Sequence, residues 1–223
     1  MRAAILKQIL SMKKYMLICT LFLGVTVMAQ TEKVKLGVKA GLNLANLTFD
    51  ESELNSSSKT GFTAGLMVEI PVAKNFSIQP ELLYSQQGTK ISFSDQDVTN
   101  SNYKSTIDLN YLNIPVMLKY YVLKGLSVQA GPQIGILLKA NNEYHDNFLG
   151  YDNHENLDLK KYSTGIDTSV NFGLGYQYKD KFYTDLRYNL SYSNVFKESD
   201  VSYVINNDMK NRVFQITIGY FFK

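Results

Sequence analysis

Apolar and polar residues alternate in eight separate segments of this chain, and the pattern leaves few folds open. In the first segment, Val34, Leu36 and Val38 alternate with Lys35 and Gly37. Successive side chains of a β-strand point to opposite faces of a sheet, so a period of two predicts strands with two different faces. The segments cover residues 34–44, 61–70, 76–85, 112–121, 126–139, 166–178, 182–192 and 213–222. We predict an all-β fold built from these strands.

The connections between the segments alternate in length. Short turns lie at 71–75, 123–125 and 179–181, and long polar stretches lie at 45–60, 89–106, 140–164 and 194–211. Strands joined in this way form an antiparallel up-and-down barrel, with the short turns at one end and the long loops at the other. Each segment is also long enough for a tilted strand to cross a lipid bilayer, which takes about 9–11 residues.

Alternation alone also fits a soluble eight-stranded barrel, such as a lipocalin, whose apolar face points inward. The placement of the glycines favours the opposite orientation, because a narrow lumen needs small residues. The glycines on the polar face are Gly37, Gly41, Gly61, Gly65, Gly131, Gly135, Gly173, Gly175 and Gly219. The apolar face also ends in aromatic residues, such as Phe76 and Tyr120 near the short turns and Tyr84 and Tyr192 near the long loops. Aromatic girdles are typical of lipid–water boundaries, so we predict an eight-stranded transmembrane β-barrel with its apolar face toward lipid.

Residues 1–29 are interpreted as a cleavable signal peptide. Lys13 and Lys14 precede an apolar run at 15–27, and Ala29 supplies the small residue before the cleavage point. This order of a basic region, an apolar region and a small residue is typical of export signals. The alternative is a soluble helix or an uncleaved anchor, but the run is too short to span a bilayer.

The barrel domain is then predicted to be residues 30–223, with 1–11 interpreted as a start-site extension upstream of Met12. Four of the 23 Lys and Arg residues lie in the signal, which leaves 19 against 20 Asp and Glu. A net charge near −1 offers nucleic acid no strongly basic surface, so we expect no nucleic-acid partner. Cys19, the only cysteine, also lies in the signal. Disulfides and thiol chemistry are therefore excluded from the predicted domain.

Charged residues of both signs lie on the polar face, which the barrel prediction turns toward the lumen. They are Lys39, Glu69, Glu81, Lys119, Asp185 and Arg187. An isolated charge in a narrow interior is costly, so we expect the six to pair with one another. We interpret them as a structural plug, with a selectivity or proton path as the alternative.

Three prolines lie inside predicted strands. Pro80, Pro115 and Pro132 fall in the third, fourth and fifth segments at a similar distance from the short turns. Because proline has no N–H for the ladder, we predict bulges or locally broken pairing at this level.

Several stretches together resemble the bacteroidete-type outer-membrane β-barrel family often labelled PorT-like. They are 79–85 (Gln-Pro-Glu-Leu-Leu-Tyr-Ser) with Gly88, 111–115 (Tyr-Leu-Asn-Ile-Pro) and 130–135 (Ala-Gly-Pro-Gln-Ile-Gly). The aromatic strand 214–222 looks like the C-terminal signal read by the barrel assembly machinery, although Lys223 follows it. The resemblance implies a bacterial outer-membrane location, with outer-membrane lipids and lipopolysaccharide as surroundings. Outer-membrane barrels have short periplasmic turns and long extracellular loops, so the connection lengths predict that both termini are periplasmic. It leaves any secretion or surface partner open.

No catalytic, cofactor or metal site is predicted. His145 and His154 lie near Asp146, Asp152, Glu155 and Asp158 in the third long loop, but they lack compact ligand spacing. The chain also lacks a Gly-x-Ser-x-Gly elbow and the phosphate-loop and dinucleotide patterns. We therefore expect a structural or interaction protein that acts through its extracellular loops. Passage of small solutes is the alternative, and a lipid-modifying enzyme is the third hypothesis.

Overall fold

A computed structural model of the chain describes residues 34–48, 56–95, 101–148, 151–197 and 209–222. At 56, 92–95, 101–103, 145–148 and 151–154 it describes the backbone alone. The predicted signal peptide and its cleavage point lie outside the described residues. The described strands are β1 (Lys35–Thr48), β2 (Ser56–Ala73), β3 (Phe76–Asp95), β4 (Ser101–Leu123), β5 (Leu126–Phe148), β6 (Tyr151–Asp158), β7 (Ile166–Tyr178), β8 (Phe182–Asn194) and β9 (Lys210–Phe221).

The strands close into a barrel of eight. Antiparallel pairs run in the order β4-β3-β2-β1-β9-β8-β7-β5, and a further pairing of β4 with β5 completes the circle. The sixth strand lies outside this circle, because it pairs only with the far part of β5, from Asn141↔Asp158 to Phe148↔Tyr151. The predicted eight-stranded antiparallel barrel is thus confirmed. No helix in the described part of the chain is long and apolar enough to cross a membrane.

The long connections are more regular than predicted. Most of the stretch 140–164 forms a hairpin of β5 and β6, and β3 and β4 extend toward each other to Asp95 and Ser101. Around Asn141 the residues that point to either face of the strand are polar. The alternation of apolar and polar residues therefore could not predict that β5 pairs with β6.

The apolar face of the barrel points outward. Leu42 and Ile218 are 54% and 71% exposed, whereas Asn43 and Thr217, one residue along each strand, are 0% and 1% exposed. Aromatic side chains meet across strands near the short turns, where the rings of Phe182 and Tyr220 lie 5.6 Å apart. A large apolar surface of this kind is stable only against lipid or another apolar partner.

Glycine permits close approach on the inner face. A Cβ added to Gly41 would overlap the carbonyl oxygen of Ile216 on β9, and one added to Gly131 would overlap that of Val116 on β4. The narrow barrel therefore excludes side chains at these two points. This is the physical reason for the glycines that the polar face carries.

The ladders are interrupted beside each proline without a change of register. The β2–β3 pairing lapses between Met67↔Glu81 and Ile70↔Ile78, next to Pro80. The β3–β4 and β4–β5 pairings lapse in the same way next to Pro115 and Pro132. The predicted local break is thus present at all three, and it involves no bulge there. A missing N–H removes one ladder bond but inserts no extra residue.

Candidate functional site

The lumen brings the six predicted charged residues together. Five strands supply them, with Lys39 on β1, Glu69 on β2, Glu81 on β3, Lys119 on β4, and Asp185 and Arg187 on β8. All six lie in the inward phase of the alternation, and each residue is at most 4% exposed.

The central group is built around Arg187. Its guanidinium donates two hydrogen bonds to Glu81, Nη1 to Oε2 at 2.8 Å and Nη2 to Oε1 at 2.7 Å. The same Nη2 lies 3.0 Å from Asp185 Oδ2. Lys39 Nζ then bridges the two carboxylates, at 2.8 Å from Asp185 and 3.2 Å from Glu81. Two cations and two anions therefore form one closed cluster, in the fork geometry that arginine favours.

A second pair joins this cluster through a neutral amide. Lys119 Nζ donates to Glu69 Oε2 at 2.8 Å and to Gln79 Oε1 at 2.9 Å. The other end of that amide, Gln79 Nε2, donates to Glu81 Oε1 at 2.6 Å. Lys119 also lies 4.4 Å from the centre of the Tyr183 ring. Because Gln79 links the two groups, the six charges form one continuous network across the lumen.

The network is electrically balanced. It contains three cations and three anions, and all their side chains are between 0% and 2% exposed. Removing an ion from water costs several kcal/mol, which only close partners and further hydrogen bonds offset. Thr217 on Asp185 and Tyr121 on Glu69, both at 2.8 Å, supply such bonds. The arrangement can hold neighbouring strands in register, and it leaves no charge without a partner.

Toward the long loops, neutral amides and hydroxyls fill the next part of the lumen. Asn43 donates to Ser85 at 2.9 Å and accepts from Gln215 at 3.0 Å. On the other side of the barrel, Asn171 donates to Gln133 at 3.1 Å. The interior is therefore packed with short polar contacts above the charged network.

An apolar cap closes the loop-side end. We define it by residues that are 0–5% exposed: Leu47, Ile107, Leu109, Tyr111, Leu137, Ala140, Leu159, Val195, Phe196 and Met209. Backbone hydrogen bonds tie its loop segments to the strands, including Leu159 N to Ala140 O and Val195 N to Met209 O, at 2.9 and 2.8 Å. The sequence had indicated polar loops here and missed the cap. A detectable signal was the apolar run Ile107, Leu109 and Tyr111 in the inward phase of β4.

The histidine-containing loop forms part of the β5–β6 hairpin, where the backbone pairs His145 with His154. The side chains of 145–154 that could test a metal site lie outside those described. Among the side chains that the structure does describe, no group of three or more metal-ligating residues is present. Glu155 and Asp158 are exposed.

Comparisons with known proteins agree with the architecture. The family described as outer membrane protein beta-barrel domain matches residues 28–197. No curated protein matches the chain. The PorT-like label within the wider family stays a prediction.

Several solved structures are similar to this chain at low sequence identity. Ail, the attachment invasion locus protein of Yersinia pestis, is 12% identical, with 86% of this chain and 100% of that chain covered and a TM-score of 0.45. CarO2 of Acinetobacter baumannii is 16% identical, with 84% and 99% covered and a TM-score of 0.42. Neisserial surface protein A is 14% identical, with 86% and 99% covered and a TM-score of 0.39. Similarity at this level supports no conclusion about fold or function. The family match, which spans most of the chain, does identify it: this protein belongs to the outer membrane β-barrel domain family of bacterial outer membranes.

Proposed function

We propose that this protein is a closed outer-membrane scaffold that acts through its loop-side surface and conducts no solute. The observation that carries the proposal is the balanced six-charge network, whose side chains are almost fully buried in the lumen. A conducting path would have to separate the Arg187–Glu81 pair and displace the apolar cap as well. Eight-stranded barrels are only just wide enough to be filled by side chains, so neither rearrangement has room within the lumen.

The loop-side surface is the part of the scaffold that is accessible to a binding partner. β5 and β6 extend as a hairpin beyond the barrel circle, to Phe148 and Tyr151. Loops held on a rigid frame are the usual place for recognition, because the frame fixes their position at little entropic cost. We propose that a surface or secretion partner binds here.

The proposed orientation places both termini and the short turns in the periplasm. Near the chain ends, Phe222 N donates to Leu36 O at 2.7 Å and Phe221 N donates to Lys181 O at 2.8 Å, at the short-turn end. Lipids would surround the apolar band, with lipopolysaccharide in the outer leaflet, and the assembly machinery would bind β9.

A planar lipid bilayer separates the scaffold from the alternative of small-solute passage. The purified full chain is inserted into the bilayer, and current is recorded in potassium chloride, with an open porin in the same membrane as the control for sensitivity. We expect no current steps from this protein. Discrete, reproducible single-channel steps would establish a conducting lumen and refute the closed scaffold.

A shortened variant tests the interaction surface. Replacing residues 144–155 with Asn-Gly substitutes a tight hairpin turn for the end of the β5–β6 hairpin. All eight barrel strands remain, but β5 then ends at Glu143 and residues 102–105 of β4 lose their β5 partners. Partners cross-linked in outer membranes should be lost with this variant. Retention of the same partners would place recognition elsewhere on the protein.

A further inference from the structure

The sheet that extends above the barrel on the loop side has an open edge at β6. This strand, Tyr151–Asp158, pairs with β5 and with no other strand that the structure describes. An unpaired edge presents a row of backbone N–H and C=O groups, which can hydrogen-bond to another extended chain.

The pairing register shows which backbone groups lie on the open edge. Leu159 N donates to Ala140 O at 2.9 Å, one step beyond the last pair of the β5–β6 register. In an antiparallel pair, every second residue bonds to the partner strand, and the residues between direct their N–H and C=O to the opposite side. Glu155 and Leu157 therefore bond toward β5. The backbone groups of residues 152, 154, 156 and 158 point away from β5 and form the open edge.

The hairpin that carries this edge is acidic. Residues 140–158 contain no Lys or Arg and five carboxylate residues, namely Glu143, Asp146, Asp152, Glu155 and Asp158. Lysines of the same sheet lie on β3 and β4, so β5 separates them from the open edge. Lys160 and Lys161 follow β6 at its base, beyond the end of the strand. The open edge therefore favours a positively charged partner.

The same charge disfavours a second copy of this chain as the occupant. Two β6 edges paired with each other would bring together the three carboxylate residues of each strand, and β6 contains no Lys or Arg to offset them. Like charges directly opposite each other destabilise paired strands, whereas opposite charges stabilise them. The acidic edge thus opposes self-association and accepts a basic strand.

An exposed apolar side chain adds to the surface that a partner would contact. Leu157 lies opposite Asn142 on β5, which lies opposite Ile107 on β4, so the three share one face of the sheet. Ile107 is buried in the cap, whereas Leu157 at the sheet edge is 57% exposed. A strand added beside β6 would cover Leu157 with a side chain on that face.

We propose that the open edge of β6 binds a basic, extended polypeptide segment by strand addition. Backbone hydrogen bonds to the edge hold the segment, and side-chain contacts select it. Lys or Arg residues pair with Glu155 and Asp158, and an apolar residue packs against Leu157. This inference rests on the proposed function, because it names the chemistry of the partner that binds the loop-side surface.

Fluorescence anisotropy with a labelled synthetic peptide tests the open edge. The probe is a terminally blocked octapeptide of alternating Lys and Val, titrated with the purified full chain in an uncharged detergent, and protein-free micelles are the blank. We expect saturable one-to-one binding that weakens as sodium chloride is raised. The same peptide with Glu in place of Lys should bind more weakly by about tenfold or more. No saturable binding of the basic peptide at low salt would overturn the proposal.

Backbone-methylated peptides separate strand addition from simple charge attraction. Two isomers, N-methylated on the four Val or on the four Lys residues, keep every side chain and charge, but each loses the N–H groups of one peptide edge. At least one isomer should bind about tenfold more weakly than the unmodified peptide, because backbone hydrogen bonds supply the affinity in strand addition. Equal binding of all three peptides would mean that charge alone attracts them, and strand addition would be wrong.

A proline substitution blocks the edge on the protein side. Asn156→Pro removes an N–H group that points away from β5, a position where an edge strand tolerates proline. It should weaken binding of the basic peptide by about tenfold, and the gel shift between folded and unfolded chains should stay unchanged. Unchanged affinity in this folded variant would contradict the proposed edge.

A charge reversal tests the edge even if Asn156→Pro does not fold. Glu155→Lys places a cation beside the edge and should weaken binding of the basic peptide by about tenfold. The matched control, Asp180→Lys, makes the same change at a short turn at the other end of the barrel, where Lys179 already adopts a similar φ. It should leave the affinity within about twofold. Equal losses in the two variants would mean that net charge attracts the peptide, and the edge site would be wrong.

Failure of this inference can be distinguished from failure of the proposed function. If the basic peptide does not bind but cross-linked partners are still lost with the shortened hairpin, the open edge is wrong and the interaction surface stands. If the peptide binds but the bilayer shows current steps, the open edge stands and the closed scaffold is refuted. A dimer of the free chain that Asn156→Pro abolishes would identify a second copy as the occupant and overturn the basic partner.

Discussion

The two halves of this barrel have opposite polarity along the same strands. In the half near the short turns, β1 points Lys39 and Asn43 inward and Leu42 outward. In the loop-side half, the same strand points Leu47 inward, 0% exposed, and Thr48 outward. The backbone pairing with β9 continues through the change, from Gly37↔Phe221 to Thr48↔Lys210. Only the chemistry of the two faces is exchanged.

The fourth strand repeats the exchange. Its inward residues are Asn113 and Lys119 near the short turns but Leu109 and Ile107 in the loop-side half, all at most 4% exposed. Outward residues change from Leu118, 44% exposed, to polar ones such as Thr106. An apolar face must be turned away from water, so the first half suits lipid and the second resembles a soluble barrel. We infer from this change that the lipid–water boundary lies at the level of Leu44 and Leu112.

The largest predicted effect comes from breaking the charged network in the lipid-facing half. Arg187→Ala leaves Glu81 and Asp185 with fewer partners, and we expect a loss of about 3–5 kcal/mol in the free energy of unfolding. Guanidinium unfolding from lipid vesicles, followed by the gel shift between folded and unfolded chains, measures it. In the double variant with Glu81→Ala, the cost should be well below the sum of the two single costs. Additive costs would contradict a coupled network.

The next largest loss of stability is expected from a charge placed on the lipid-facing surface. Ile218→Arg places a charge on the lipid-facing surface, and we expect it to cost about 2–4 kcal/mol. Thr106→Arg places the same side chain on the outward face of the loop-side half, between Lys90 and Glu143, and should change stability by less than about 0.5 kcal/mol. Equal costs at the two positions would remove the inferred boundary.

Truncation inside the cap should have a smaller effect. Leu109→Ala leaves a cavity among the apolar residues at the loop-side end, and we expect a loss of about 2–3 kcal/mol by the same unfolding measurement. Leu118→Ala is the matched change on the outer face, where lipid chains fill the space, and it should cost less. The opposite ranking would mean that the cap is not a packed core.

The smallest loss in the free energy of unfolding is expected from breaking a surface ion pair. Lys35 lies 3.5 Å from Asp180, whose side chain is 87% exposed, so Lys35→Gln should cost less than about 1 kcal/mol. The cost should disappear in high salt, whereas that of Arg187→Ala should persist. A salt-resistant loss at Lys35 would show that burial does not separate the two kinds of pair.

Much of the fold could be predicted from sequence, and part of the candidate site with it. The strands and their outward faces follow from alternation, which is a local property of residues such as Val34 to Gly37. The same alternation placed all six charged residues on one face. It did not say that Arg187 meets Glu81, 106 residues away, because that contact depends on the register and closure of the whole barrel. Nor did it identify Gln79 as the link between the two charged groups, since a neutral amide in the inward phase resembles any other polar residue.

The eight barrel strands, their two faces and the interruptions at Pro80, Pro115 and Pro132 were thus predictable from local sequence, because side-chain direction and a missing N–H act within a few residues. The partners of each buried charge and the packing of the apolar cap depend instead on the folded barrel. These features join segments from opposite sides of the barrel, because the cap includes both Leu47 on β1 and Leu137 on β5. Which segments meet is set by barrel closure, and closure is a property of all eight strands together.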